Sequence, residues 1–160
     1  MTRTTVVIAA LSLLLSAAAV SETLRFDASK YSQKPTGCDA LAAHPDDPNK
    51  VAPGVSQSAM DKPAAIAACE VAVAADPENP RLRYQLGRAY GYSGQGEKSF
   101  AHRKISIAAD YPQALFVNGY MHLYGENKAE KDPCRAAELL RRSAQYGRIA
   151  GQIGFPKCRF

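Results

Sequence analysis

From residue 63 onward, apolar residues recur every three or four positions, which is the spacing of one face of an α-helix. The stretch PAAIAACEVAVAADPENP places Ile66, Val73 and Ala74 on such a face, and Pro63 and the DPENP sequence mark its ends. Further segments of the same kind are RLRYQLGRAYGYSG, EKSFAHRKISIAADYP, QALFVNGYMHLYG, DPCRAAELLRRSAQYG and RIAGQIG. No segment shows the alternation typical of a β-strand. The pattern therefore predicts an all-α protein.

Short connections separate these segments, and they favour helices that pair as antiparallel hairpins. Two of the hairpins have related sequences. Placing Gly87 on Gly119, 32 positions later, superposes QLGRAYGYSG on VNGYMHLYG. This spacing is close to the period of about 34 residues that tetratricopeptide repeats have. The sequence therefore predicts an internal repeat of helix hairpins.

Residues at fixed positions of both units resemble known repeat families. PENPRLRYQLGRAYGYSG is similar to the start of a tetratricopeptide repeat, with matching residues Leu86, Gly87, Tyr90 and Gly94. The second helix departs from that pattern, since Arg103 stands where an aromatic residue is usual. Residues 118–147 resemble the related Sel1-like repeat, with matching residues Gly119, Gly125, Asp132, Ala136, Ala144 and Gly147. Here Asn118 replaces the usual leucine and His122 the usual tyrosine.

These resemblances imply a short α-solenoid, in which helix hairpins stack and the first helix of each pair lines a concave face. The residues of this chain at those positions are Arg81, Tyr84, Arg88, Tyr92, Gln113, Phe116, Tyr120 and Tyr124. Arginines and aromatic rings on one stripe favour an extended protein or peptide partner that carries carboxylates or aromatic side chains. The main functional hypothesis is therefore a protein–protein interaction module.

Residues 1–19 have the parts of a secretory signal peptide. Arg3 precedes an apolar stretch, and small residues follow up to Ala19, where we expect cleavage. The apolar stretch is shorter than the roughly 20 residues that span a bilayer, so we expect a periplasmic or secreted protein without membrane insertion. Residues 20–36 show no sustained period and predict a flexible lead-in. Residues 37–160 then form the helical repeat domain.

All four cysteines lie in the expected mature chain, where an oxidising compartment favours disulfides. Four cysteines allow three connectivities. The helix that starts near Cys134 rises roughly 20 Å, and the residues after it can return over that distance to bring Cys158 close. We therefore expect a Cys134–Cys158 bond, together with a Cys38–Cys69 bond that joins the first short helix to the next one. Such a bond stabilises a small domain by roughly 3 kcal/mol.

An alternative hypothesis makes one of these cysteines catalytic. Cys134 follows the helix start Asp132-Pro133, where the helix dipole lowers the pKa of a thiol, and His122 precedes it by twelve residues. The protein would then be a cell-envelope enzyme with Cys134 as nucleophile. The sequence contains no other catalytic set, cofactor motif, metal-ligand spacing or nucleic-acid-binding motif. The oxidation state of Cys134 separates the two hypotheses.

Basic residues concentrate at the C-terminal end. The chain has 20 Lys and Arg against 15 Asp and Glu residues, a net charge of +5. After residue 132 the sequence has one acidic residue, Glu138, and six basic residues, which are Arg135, Arg141, Arg142, Arg148, Lys157 and Arg159. This end favours an acidic partner. It also supports a third hypothesis, a regulator of a membrane sensor that acts through its basic C-terminal helix, with Arg141 and Arg142 as the decisive residues. The sequence does not predict an oligomeric state.

Overall fold

The computed structural model describes residues 24–148 and Cys158, and these residues form an all-α fold. The described part contains six α-helices and one short 3-10 turn, and no β-strand lies within it. The helices are α1 (Gly37–Ala42), α2 (Lys62–Ala75), α3 (Pro80–Tyr92), α4 (Gly96–Ala108), α5 (Pro112–Tyr124) and α6 (Pro133–Gln145). The all-α prediction is confirmed for this part. The predicted signal peptide, residues 1–19, and the RIAGQIG segment after Arg148 lie outside the described residues.

Local signals in the sequence set the helix ends. Helices α3, α5 and α6 each begin with proline, whose fixed φ and missing N–H suit the first helical position. The side chain of Asp132 caps α6 by accepting hydrogen bonds from the backbone N–H groups of Cys134 and Arg135, both at 2.9 Å. Helix α5 ends at Tyr124, and the next residue, Gly125, has a φ of 74°, in the left-handed region that favours glycine. Proline and glycine positions therefore determine where the chain turns back.

Helices α3 to α6 form two hairpins of matching size. Each of the four helices has 13 residues, α5 starts 32 residues after α3 (112 − 80), and α6 starts 37 residues after α4 (133 − 96). The difference lies in the connection, which spans residues 93–95 in the first hairpin and 125–132 in the second. The two helices within each hairpin contact each other extensively, and α4 and α5 contact each other less. The offset between α3 and α5 equals the one that Gly87 and Gly119 predicted.

A glycine lets the two helices of each hairpin approach closely. A Cβ added to Gly87 of α3 would lie 3.0 Å from Cγ of Arg103 on α4. In the second hairpin, a Cβ added to Gly119 of α5 would lie 2.7 Å from Cγ of Leu140 on α6. Both distances are too short for an unstrained carbon–carbon contact. Arg103 and Leu140 therefore occupy equivalent positions, 37 residues apart, opposite the two glycines.

A serine hydroxyl makes the same bond in each hairpin. The hydroxyl of Ser106 in α4 donates to the carbonyl of Pro80 at 2.9 Å, and the hydroxyl of Ser143 in α6 donates to the carbonyl of Pro112 at 2.8 Å. Pro80 and Pro112 are the first residues of α3 and α5, and both serine side chains are fully buried. The two hairpins therefore share the glycine approach and the serine bond as well as their helix length.

The N-terminal helices pack against the first hairpin around a disulfide. Cys38 of α1 is bonded to Cys69 of α2, and both side chains are fully buried. The surrounding core includes Leu82 and Leu86 of α3 and Met60 from the loop before α2. The predicted Cys38–Cys69 bond is thus confirmed, and it holds α1 beside both α2 and α3.

The second predicted disulfide is present as well. Cys134 in the first turn of α6 is bonded to Cys158, and their Cα atoms lie 5.3 Å apart. All four cysteines are therefore paired. Two disulfides in one small domain indicate an oxidising, exported environment.

The described part of the predicted flexible lead-in, residues 24–36, lies on the helical domain. The ring of Phe26 packs edge-to-face on Tyr111, with the ring centroids 5.3 Å apart. The carbonyl of Ser32 accepts a hydrogen bond from Nη1 of Arg81 at 3.0 Å. A single aromatic ring and backbone carbonyls make these contacts, and neither produces a hydrophobic period in the sequence.

Candidate functional site

The residues predicted to line a concave face form two equivalent stripes. The α3 stripe consists of Arg81, Tyr84, Arg88 and Tyr92. The α5 stripe consists of Gln113, Phe116, Tyr120 and Tyr124. Each member of the α5 stripe stands 32 positions after its counterpart in the α3 stripe. The two stripes differ in what covers them.

Arg81 of the α3 stripe forms a buried ion pair with the chain's own N-terminal region. Its Nε donates to Oδ1 of Asp39 in α1 at 2.8 Å, and only 2% of Arg81 is exposed. The same Asp39 oxygen accepts from Nε2 of Gln85 at 2.9 Å. The other carboxylate oxygen accepts from the backbone N–H and the hydroxyl of Thr36. Arg81 therefore binds an internal carboxylate where the sequence predicts a partner.

Arg88 of the same stripe binds backbone carbonyls. Its Nη1 donates to the carbonyls of Ala42 and Ala43, both at 3.0 Å, and its Nη2 donates to the carbonyl of Val55 at 2.6 Å. Its guanidinium also lies 5.1 Å from the ring centroid of Tyr92. The end of α1 and the loop after it thus cover this part of the stripe.

Tyr84 and Gln113 are also buried, at the junction of α3 and α5. Nε2 of Gln113 donates to the hydroxyl of Tyr84 at 3.4 Å, and the Tyr84 ring packs against that of Tyr111, 5.8 Å away. The Tyr111 hydroxyl donates to the buried carboxylate of Asp47 at 2.7 Å. Burial raises the pKa of Asp47 and of both tyrosines. This part of the predicted surface is an interior contact.

The rest of the α5 stripe is partly or largely exposed. Tyr120 is 37% exposed and Tyr124 is 58% exposed. The ring of Tyr120 lies 5.0 Å from Phe116 and 5.7 Å from Tyr124, so the three rings form a continuous row. The guanidinium of Arg148 lies 4.5 Å above the ring of Phe116. Of the eight predicted residues, these aromatic rings and the partly exposed Tyr92 remain accessible.

A cavity of about 360 Å³ is lined by residues of α3, α4 and α5, of the loop after α5, and by Gln57 of the loop before α2. Its charged lining residues are Arg88, Arg103 and Glu126. A second cavity, of about 270 Å³, shares Arg103, Met121 and Asn127 with the first. Arg103 therefore lies where the two cavities meet.

Arg103 is the residue of this site that the sequence did not identify as functional. It is 3% exposed. Its Nε and Nη2 donate to the carbonyl and hydroxyl of Ser99, at 3.4 Å and 2.5 Å, and its Nη1 donates to the sulfur of Met121. Burial lowers the pKa of its guanidinium. Its departure from the tetratricopeptide pattern was the one signal in the sequence that could have drawn attention to it.

The proposed nucleophile Cys134 has no thiol in this structure, because its sulfur is bonded to Cys158. His122 does not approach it as a base; its Nδ1 lies 2.9 Å from the carbonyl of Glu130. Among residues 24–148 and Cys158, no three His, Cys, Asp or Glu side chains are grouped to hold a metal ion. None of the six helices in this part of the chain is long and apolar enough to cross a membrane.

Some of the basic residues of α6 form ion pairs within the chain. Arg142 pairs with Asp110 at 2.5 Å and with Glu138 at 3.4 Å, and Arg135 pairs with Glu138 at 2.6 Å. Arg141 is exposed. The two arginines that the sensor hypothesis depends on therefore differ, since Arg142 links α6 to the end of α4 and Arg141 faces solvent.

Comparisons with known proteins do not place the chain in a family. No family model, curated protein or solved structure matches the chain.

Proposed function

We propose that this protein is an exported interaction module, a short tetratricopeptide/Sel1-like solenoid that binds an extended segment of a partner protein in the cell envelope. The open part of the α5 stripe is the binding surface. Tyr120 and Tyr124 form its centre, and Phe116 with the guanidinium of Arg148 forms its edge.

The unequal cover of two equivalent stripes supports this proposal. On the α3 stripe, Arg81 and Arg88 hold a carboxylate and three backbone carbonyls of the chain's own N-terminal region. The α5 stripe has the same helix position and the same offset, yet two of its tyrosines face solvent. A protein segment supplied by a partner can occupy the second stripe as the N-terminal region occupies the first.

The side chains of the open stripe suit such a segment. Tyrosine offers a large rigid ring and a hydroxyl that can donate to a peptide carbonyl, and it is among the residues that dominate binding energy at interfaces. Arg148 and the net charge of +4 that remains without Arg3 (19 − 15) favour a segment with acidic side chains. We therefore expect an acidic, irregular stretch of the partner that carries at least one apolar anchor.

The compartment is part of the proposal. The sequence predicts a signal peptide at residues 1–19 with cleavage near Ala19, and both disulfides fit the periplasm or the extracellular space. Partners are therefore sought among envelope and secreted proteins.

A photo-crosslinking experiment tests the surface directly. Benzoyl-phenylalanine replaces Tyr124 in one sample and Val71, which is 73% exposed on α2, in the matched control. After incubation with envelope extract and irradiation, we expect a crosslinked protein from position 124 only, and its loss when Tyr120→Ser is added. The captured protein is then purified, and its affinity is measured for the wild type, for Tyr120→Ser with Tyr124→Ser, and for Val71→Ser. Equal affinity of all three proteins for it would contradict the proposal.

A further inference from the structure

Arg103 carries a buried charge without a carboxylate partner in the described part of the chain. No Asp or Glu oxygen of these residues lies within 4.0 Å of its guanidinium, in contrast to the buried Arg81, which pairs with Asp39. Its three bonds leave two of its five N–H groups without an acceptor. A buried ion that lacks a counter-ion destabilises the folded protein. The arginine therefore calls for an explanation other than stability.

The fold does not need an arginine at this position. Leu140 occupies the equivalent position of the second hairpin and packs on Gly119 in the same way as Arg103 packs on Gly87. Leu140 is 2% exposed, so an aliphatic side chain fills this place completely. The hairpin geometry is thus compatible with leucine, and its packing does not require the charge of Arg103.

The cavity beside Arg103 is lined by hydrogen-bond donors. Arg88 is among its lining residues and has one N–H group that its four bonds leave unused. Tyr84, Tyr92 and Asn127, which also line the cavity, each carry a side-chain group that can donate. Glu126, an exposed residue, is the single acidic residue in the lining. Two arginines and one glutamate give the lining a formal charge of +1 (2 − 1). A ligand with one negative charge would neutralise it.

We propose that this cavity binds a carboxylate group, with the Arg103 guanidinium as its anchor. The carboxylate accepts the two unused N–H groups of Arg103 in a bidentate pair, as planar guanidinium and carboxylate groups favour. The carboxylate belongs either to a small free organic acid or to an acidic side chain of a bound peptide. The inference goes beyond the proposed function, because a free acid can occupy the cavity whether or not a protein binds the α5 stripe.

A ligand titration of the full mature protein, with both disulfides intact, tests this site. The probes are acetate and succinate, with acetamide and succinamide as neutral controls of the same shape, in a low-chloride buffer at pH 7. A second pair of probes is an acetylated peptide with one aspartate and its asparagine counterpart. We expect the acids, but not the amides, to raise the melting temperature in a saturable way. Binding of the free acids indicates a small-molecule site, and binding of the aspartate peptide alone indicates a partner's side chain.

The matched variant is Arg103→Leu, which copies the residue of the second hairpin. We expect it to melt at the same temperature as the wild type or higher without ligand, and to bind the carboxylate at least about tenfold more weakly, because hydrogen bonds to charged groups are lost. Glu126→Gln removes the opposing charge and should tighten binding. Unchanged affinity in Arg103→Leu, or no carboxylate-dependent effect with either source, would overturn the proposal.

A second variant tests the site without removing the arginine. The side-chain nitrogen of Asn127 and Nη2 of Arg103 lie 3.2 Å and 3.7 Å from the point that a Cβ on Gly91 would occupy. Asn127→Asp therefore places an internal carboxylate near Arg103. We expect this variant to melt at a higher temperature and to lose the response to added acids. A response equal to that of the wild type would count against the site.

Discussion

The α3 and α5 stripes occupy equivalent positions in their hairpins, but the α3 stripe is largely buried and most of the α5 stripe is partly or largely exposed. Both lie on helices of 13 residues that start with proline and close on a second helix through a glycine. On α3, buried Arg81 and Arg88 are bonded to the N-terminal region. On α5, Tyr120 and Tyr124 face solvent. The difference therefore comes from the partners that the rest of the chain supplies, and the hairpin itself does not determine it.

This comparison separates residues that hold the domain together from residues that are free to bind. A charged side chain at a groove position is a structural residue when the chain brings its own carboxylate to it, as Asp39 does for Arg81. An aromatic row whose rings remain exposed, as those of Tyr120 and Tyr124 do, is a candidate for binding. We therefore expect changes to the cover of the α3 stripe to lower stability, and changes to the exposed rings of the α5 stripe to leave stability nearly unchanged.

The largest effect is expected from removal of the carboxylate that covers the α3 stripe. Asp39→Ala leaves Arg81 and Gln85 buried without their shared acceptor. Loss of one partner of a buried ion pair lowers stability by about 3–5 kcal/mol. Urea unfolding followed by circular dichroism measures this change. The exposed Asp46 serves as the control, and a loss in Asp46→Ala as large as that in Asp39→Ala would show that the ion pair is not the cause.

The next largest effect is expected from removal of the disulfide that holds α1 in place. Cys38→Ala with Cys69→Ala opens a bond between residues 31 positions apart. The expected loss is about 2–4 kcal/mol, because the unfolded chain gains conformational freedom. Urea unfolding of this variant is compared with that of Cys134→Ala with Cys158→Ala. We expect the α3 stripe to gain solvent access in the first variant only.

A matched pair of substitutions then compares the stripes at one position. Arg88→Ala removes an arginine donor from three carbonyls, of which only that of Ala43 keeps another donor, the backbone N–H of Val55. The substitution should lower stability by about 1–3 kcal/mol. Its counterpart Tyr120→Ala removes a partly exposed ring and should change stability by less than about 1 kcal/mol. Thermal unfolding of both variants measures the difference. Equal losses would mean that the two stripes are covered alike.

The smallest effect concerns the pH dependence that Asp47 causes. Burial raises its pKa above the unfolded value, so the folded state binds more protons, and stability falls as the pH rises above about 4 toward the folded pKa. The slope from one such group is at most about 1.4 kcal/mol per pH unit. Asp47→Asn keeps an acceptor for the Tyr111 hydroxyl and should flatten the slope. An unchanged slope in this variant would assign the pH dependence to other groups.

The helix class and the hairpin offset could be predicted from the sequence because they depend on local signals. Proline at helix starts, glycine at close approaches and the period of apolar residues each act within one hairpin. The Cys134–Cys158 pairing was also predictable, since the helix that starts near Cys134 and the segment after it are long enough to bring Cys158 back. Cys38–Cys69 is the pairing that then remains for the other two cysteines. These features need no knowledge of how distant segments meet.

The cover of the α3 stripe could not be predicted, because it depends on contacts across the chain. Asp39 reaches Arg81 from 42 positions away, and Val55 reaches Arg88 from 33. Single polar bonds of this kind leave no period in the sequence. Arg103 was visible as a departure from the repeat pattern, yet its lack of a carboxylate partner required the positions of its neighbours.

Chemical modification of the tyrosines tests the contrast between the stripes most directly. The folded, oxidised protein is treated with tetranitromethane, and nitration of each tyrosine is followed by peptide mass spectrometry. We expect rapid nitration of Tyr120 and Tyr124 and protection of Tyr84 and Tyr111, which are at most 1% exposed, until the protein unfolds. Nitration of Tyr84 as fast as that of Tyr124 in the folded protein would contradict this expectation.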